Sequence, residues 1–383
     1  MKNLSSVYAF FLLLTGIGVL AAQENTLLNV VASKNVSEAD NAVLHLEELN
    51  GIVRNVIKKT SASVVHIETK RIQSFSSHEE GRRISKELSE TGCGIIIEID
   101  DKTNKKQKYI LTCGHIADGI RIEQLTILTN DRFILKPLSV KVNHDFDLAV
   151  IEFESPADAV LQPAVLSNSS KVQAGDFVFT IGSPFGLERS VSHGIVSAVQ
   201  RREIPSAPDQ AVLAGFFQID AAVNPGNSGG PVFNIRCEIT GLVTAIATQS
   251  GGSEGVAFVT PINTLIRIAK QLVQQGTAVR PFIGIGLEPD FNVAEHQRLG
   301  LTRLVGAKIA KVQPDSPAAQ AGLLPEDIIL NLKNTLQNTE IEDDLHFIAV
   351  AAQLEIEKPV QLTILRNGRE LAIPLTPSSQ ISK

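Results

Sequence analysis

Read from its N-terminus, the chain changes hydrophobic period several times. Residues 7–20 form an almost unbroken apolar run, preceded by Lys2 and followed by Ala21-Ala22, the layout of a sorting signal over 1–22. The run is shorter than the roughly 20 residues that a spanning helix needs. Cleavage on export is therefore expected, with an uncleaved membrane anchor as the alternative. Residues 23–46 are polar and aperiodic, which predicts an irregular lead-in. Over 47–59, Leu49, Ile52, Val53, Val56 and Ile57 then recur at helical spacing.

From about residue 60 to 260 the period shortens. Apolar or alternating runs at 63–69, 94–99, 109–112, 148–153, 177–182, 194–199, 216–219, 230–233, 239–246 and 255–259 are separated by glycine, proline and charged turns. So many short strands predict an all-β sandwich or barrel. A helix over 261–275 follows, with Ile262, Leu265, Ile266, Ala269, Leu272 and Val273 on one face and Gly276 as its stop. Beyond a short link a second pattern begins, with strands near 283–287, 307–312, 328–332, 360–366 and 370–375. Thr339 and Glu342 form a capping-box pair that opens a helix with Ile341, Leu345, Ile348 and Ala352 on its inner face. The chain thus divides into a β-rich domain over 47–276 and a small α+β domain over 281–378.

Composition narrows the function classes. The chain has 383 residues, 43% of them apolar, with a net charge of -6, so packed cores are expected and a nucleic-acid partner is not. The absence of tryptophan removes the stacking platforms that single-stranded nucleic-acid binders use. Three cysteines are too few for a disulfide scaffold and lack the spacing of a zinc site, so neither a metal nor a cofactor is expected. Cys93 and Cys113 flank a candidate hairpin and fall nearly opposite each other. They form either a cross-strand disulfide or two small buried apolar side chains.

One stretch carries chemistry. A hydrolytic serine needs an exposed hydroxyl on a tight turn, a base to take its proton, and N–H groups aimed at the developing oxyanion. Gly226-Asn227-Ser228-Gly229-Gly230 supplies the first and third, with the backbone of Gly226, Asn227 and Ser228 as the oxyanion pocket. His115, just beyond the strand end Leu111-Thr112-Cys113, is the candidate base. Asp147, directly before the apolar strand 148–151, is the candidate carboxylate, with Asp145 as its alternative and His144 between turn and function. The order His, Asp, Ser matches the chymotrypsin-like double β-barrel and differs from the subtilisin and α/β-hydrolase orders.

On these residues the chain resembles the HtrA (DegP/DegS/DegQ-like) serine proteases. The matching stretches are 64–67, 92–94, 110–115, 147–150, 181–187, 193–199, 218–231 and 255–261, the longest being Gln218 through Pro231. The resemblance implies an ATP-independent endopeptidase of exported, periplasmic location that degrades unfolded or damaged proteins. It carries charge-relay roles onto His115, Asp147 and Ser228, and implies a homo-oligomer of trimers or their multiples. Ala245, Ile246 and Gly251 are expected to line the S1 pocket; lacking an acidic group, it should take small or medium aliphatic side chains. The second domain resembles a PDZ module, in which Phe282, Ile283, Gly284 and Ile285 match the loop and strand that bind a peptide's C-terminus, and 316–323 matches its short helical segment. The alternative function is a peptide-binding chaperone or stress sensor with secondary proteolysis. Three departures stand out: Cys113 where the family usually has asparagine, and Glu326 and Asn334 where glycine is common. The charged stretch 71–91 corresponds to the family's variable, mobile loop.

Overall fold

The computed structural model describes residues 41, 43–76, 83–187, 189–201, 215–248, 250–289, 296–297, 302–335 and 338–380. The expected signal over 1–22 and most of the lead-in lie outside them. The chain divides into two units, ending and beginning at Asn55 and Val56. In the first unit the helical run starts at 43 rather than 47, because Val43, Leu44 and Leu46 extend the apolar spacing backwards; these three, with Leu49 and Ile52, are exposed.

The second unit opens with a closed barrel. Its strands are β1 (Val64–Ser76), β2 (Arg83–Asp100), β3 (Lys106–Cys113), β4 (Leu125–Thr129), β5 (Ile134–Asn143) and β6 (Leu148–Glu154), hydrogen-bonded in the order β1-β2-β3-β6-β5-β4. Strict alternation on β4 sends Leu125 and Ile127 inward, where they meet Ile67, Ile96, Ile110, Leu135 and Ile151. The stretch 71–91, expected as a loop, is largely a ladder: β1 and β2 stay in antiparallel register from Val64↔Ile95 out to Ser76↔Arg83.

A second set follows: β7 (Val165–Leu166), β8 (Phe177–Gly182), β9 (Ser190–Arg201), β10 (Phe216–Ile219), β11 (Pro231–Asn234), β12 (Glu238–Ile246) and β13 (Ala257–Pro261). The order β11-β8-β9-β10-β13-β12 closes on itself through β11–β12 pairing, while β7 adds a short parallel edge to β12. This is the expected double barrel. The helix Ile262–Gln275 covers it with Ile262, Leu265, Ile268, Ala269, Leu272 and Val273 buried, and ends at Gly276, whose φ of 83° is the left-handed conformation that glycine enters freely.

The remaining strands are β14 (Arg280–Phe282), β15 (Ile285–Leu287), β16 (Ala307–Val312), β17 (Ile328–Lys333), β18 (Asn338–Glu340), β19 (Val360–Arg366), β20 (Arg369–Leu375) and β21 (Ser378–Gln380). They give a sheet ordered β15-β16-β17-β19-β20, with β18 on β17 and a separate β14–β21 pair. The strand predicted over 283–287 begins only at Ile285, because Gly284 at φ 85° turns the chain between β14 and β15. The capping-box reading also fails. Thr339 is part of β18, and the helix Asp344–Ala351 is capped by Asp343, whose side chain accepts the His346 N–H at 2.7 Å. Glu326 does adopt positive φ (72°), and it is tied by its carboxylate to the buried Lys308 at 3.3 Å.

Asp327 is 1% exposed and receives both Arg366 Nε and Nη2 at 2.6 Å, plus the Leu324 N–H at 2.8 Å. Removing the carboxylate leaves a half-covered guanidinium and a buried amide unpaired. Asp327→Ala should therefore destabilise this domain by about 3 kcal/mol, read as a lowered midpoint for one transition in calorimetry of the full chain while the barrels' transition stays in place.

Candidate active site

The β3–β6 register, which pairs Cys113 with Leu148, brings the end of one strand beside the start of the other. The chain leaves β3 through the one-turn helix Gly114–Ala117 and enters β6 through a turn in which Asn143 Oδ1 accepts the Phe146 N–H at 3.0 Å. Gly114 N–H donates to the Asp147 carbonyl at 2.8 Å, and a Cβ on Gly114 would lie 3.1 Å from Asp147 Oδ1. His115 is seized twice. Its backbone N–H donates to Asp147 Oδ1 at 2.8 Å, and its ring Nδ1 lies 2.7 Å from Asp147 Oδ2.

An ionised carboxylate only accepts, so Nδ1 carries the proton and Nε2 is left as the basic nitrogen. Asp147 has a φ of 47°, a left-handed conformation that aspartate tolerates better than most residues. Its side chain is 8% exposed, against 44% for His115, so the pair has a buried acid and a solvent-facing imidazole. The alternative acid, Asp145, is ion-paired with Arg280, and His144 points to Asp118 at 3.8 Å. Asp147 is the partner of His115.

The turn around Ser228 is held from both barrels. Gly229 N–H donates to the Val243 carbonyl at 2.8 Å, Val243 N–H donates to Gly230 O at 2.9 Å, and Cys93 N–H donates to Ser228 O at 2.9 Å. Gly229, at φ 76°, lies so close to the first barrel that a Cβ would sit 2.3 Å from both Cys93 O and Thr112 Oγ1 and 2.9 Å from Cys113 N. This places Ser228 against the strand end that carries His115. Among the described residues, neither the Ser228 hydroxyl nor His115 Nε2 makes a hydrogen bond within 3.5 Å.

The same wedge decides the cysteines. The β2–β3 ladder stops at Ile95↔Leu111, and the Gly229 backbone occupies the space where Cys93 and Cys113 would have faced each other. Both are free thiols; Cys93 Sγ lies 3.4 Å from Gly226 O and Cys113 Sγ 3.2 Å from Val243 O. Burial pushes the Cys93 thiol up to about 11 and raises that of Cys113 as well, so neither is a ready thiolate. Of the two readings the sequence left open, the structure has the second, two small buried side chains, here neutral thiols turned towards separate carbonyls.

Of the three residues expected around an oxyanion, Asn227 spends its N–H on Asn224 O at 3.0 Å, whereas no backbone acceptor takes the N–H of Gly226 or Ser228 among the described residues. Beside them, Ser253 N–H donates to Asn224 Oδ1 at 2.9 Å and Val223 N–H to Ser253 Oγ at 3.3 Å, which ties the loop bearing Gly251 to the segment that leads into Ser228. Ala245 is half-buried on β12, and Ile246 packs against an apolar cluster that includes Ala221, Val223 and Val243. Val223, 2% exposed in that cluster, lies beside the expected S1 residue Ile246 although the sequence reading gave it no role; the alternation Ile219, Ala221, Val223 leading into the Ser228 turn was its signal.

In the α+β domain, Phe282, Ile283, Gly284 and Ile285 line a groove of about 660 Å³ whose opposite wall is Phe347 and Ile348. Ala318 N–H holds the Ile283 carbonyl at 2.9 Å and Gln313 N–H the Gly284 carbonyl at 2.8 Å. β15, on the groove, is an edge strand of the sheet.

Comparison with known proteins matches both domains. A family model described as a trypsin-like peptidase domain matches residues 92–242, and one for the PDZ domain matches 281–376. "Probable periplasmic serine endoprotease DegP-like" of Marinomonas sp. (strain MWYL1) is 32% identical over 349 residues, covering 84% of this chain and 70% of that protein. A protein of the same description from Pseudomonas savastanoi pv. phaseolicola is 34% identical over 292 residues, and the chain spans only 56% of its length. The solved structure "HtrA-type protease AlgW with decapeptide" superposes with a TM-score of 0.62 at 26% identity, covering 86% of this chain and 99% of that one.

Gly229→Ala should separate the two halves of the site. The added methyl meets backbone atoms that have no room to yield, at a φ that L-residues avoid. Activity should fall below detection and the melting temperature should drop; an active, equally stable variant would show that the close approach is not needed.

Proposed function

Because the chain belongs to the HtrA (DegP-like) family of serine endoproteases, we propose that His115, Asp147 and Ser228 act as its charge relay. His115 Nε2 removes the Ser228 proton as Oγ attacks the scissile carbonyl. The N–H groups of Gly226 and Ser228 hold the resulting oxyanion, Asp147 stabilises the imidazolium, and His115 then protonates the departing amine. Water, deprotonated by the same imidazole, releases the acyl group. The observation that carries this reading is the 2.7 Å Nδ1–Oδ2 contact at the same barrel junction that holds the Ser228 turn. The serine–histidine hydrogen bond closes when substrate fills the cleft.

The substrates we propose are unfolded or damaged proteins of the periplasm, the location named for the relatives, cut without ATP by a trimer or a multiple of one. A peptide C-terminus lies along β15, its carboxylate in the Phe282–Ile285 loop and its last side chain between that strand and Phe347. Ala245, Ile246, Gly251 and Val223 shape the S1 pocket. A chaperone with secondary proteolysis is not favoured, since the matched relatives are named as proteases.

Ser228→Ala should lose on the order of 10⁶-fold in kcat on casein and should lose labelling by a fluorophosphonate; casein degradation at the wild-type rate would refute the relay. Cleavage of a randomised peptide library should concentrate after Ala, Val, Ile or Leu. Dominant cutting after Arg or Lys would instead place an unrecognised acid in the pocket.

A further inference from the structure

Cys113 takes no part in the steps above, yet it lies where the relay's components converge. It is 1% exposed, and its sulfur is within 4.8 Å of both a His115 ring nitrogen and an Asp147 carboxylate oxygen. The same sulfur is 3.2 Å from the Val243 carbonyl, which receives the Gly229 N–H at 2.8 Å. The donors on the Asp147 carboxylate both belong to His115, which leaves a group with room for about four hydrogen bonds able to take another from a thiol within 4.8 Å. We propose that Cys113 is a positioning residue of the relay, its thiol shared between the Asp147 carboxylate and the Val243 carbonyl that anchors the nucleophile turn.

The thiol acts as a neutral donor, since burial, followed by the charge of Asp147, keeps it protonated. Each donor on a carboxylate disperses its charge and weakens its hold on the imidazolium. An S–H is a weak donor, so Asp147 retains more charge than it would beside a hydroxyl, and His115 remains the stronger base. The other charged groups nearby are paired among themselves: Arg71, which donates to the His115 carbonyl, with Glu90; Asp118 with His144; and Asp145 with Arg280. Arg267 lies over the Phe146 ring, 5.8 Å from its centroid. Substitution at Cys113 leaves all of these in place.

This inference rests on the relay assignment, and the test separates the two. The pH profile of kcat/KM would be measured for the full chain and for Cys113→Ser and Cys113→Val, the latter filling the space without a donor. The midpoint of the acid limb should order Ser below Cys below Val, with steps of about half a pH unit. In a Ser228→Ala background, ¹⁵N-histidine NMR should give the same order for His115, a readout that survives any loss of activity. Coincident midpoints in all three proteins, or a reversed order, would overturn the role of Cys113 while leaving the relay intact. A Ser228→Ala protein that still cleaved casein would instead remove the relay itself.

Discussion

At Gly229 the backbone of the second barrel comes into contact with that of the first, and it can do so only because no side chain stands between them. A Cβ there would overlap Cys93 O and Thr112 Oγ1, and the positive φ adds a second reason for glycine. Around this contact the hydrogen bonds run both ways: Cys93 N–H to Ser228 O on one side, and on the other Gly229 N–H to Val243 O and Val243 N–H to Gly230 O. The nucleophile turn is therefore not a loop leaning on a barrel. It is part of the seam at which the two barrels meet, and Ser228 sits on that seam.

The rest of the site follows from where β3 and β6 end. Their register sets Gly114 against Asp147, and the backbone of His115 is bonded to the same carboxylate that orients its ring. Imidazole and acid are thus one rigid piece, built entirely from the first barrel, while the serine and its N–H groups arrive on the second. The α+β domain has a comparable division, with a carbonyl-pinned turn at Ile283 and Gly284 on one wall and the helix Asp344–Ala351 on the other.

Much of this was legible in the sequence. Strand periodicity marked four of the first barrel's six strands and passed over β4 and β5, and in the second it missed only the short β7; the pairing of His115 with Asp147 could be read because each follows or precedes a buried strand, which fixes where strand ends lie. The choice between Asp145 and Asp147 followed from distance to that strand. What could not be read was anything decided by a distant segment. Cys93 and Cys113 mirror each other about their hairpin, but the intruder that parts them is Gly229. Thr339 and Glu342 have the capping spacing, yet pairing with β17 takes Thr339 into a strand and leaves Asp343 to cap the helix. Val223 was overlooked because a short alternating run next to a conspicuous motif was read as part of the motif.

The left-handed backbone of Asp147 restricts what can be exchanged there over evolutionary time. A glutamate would keep the charge but give up the short side chain that makes this conformation tolerable, and its extra methylene would push the carboxylate past both donors of His115. Asparagine would suit the backbone and abolish the charge; glycine would suit it better and abolish everything else. Shape and charge therefore select the same residue independently: of glutamate, asparagine and glycine, none meets both the backbone and the two His115 donors.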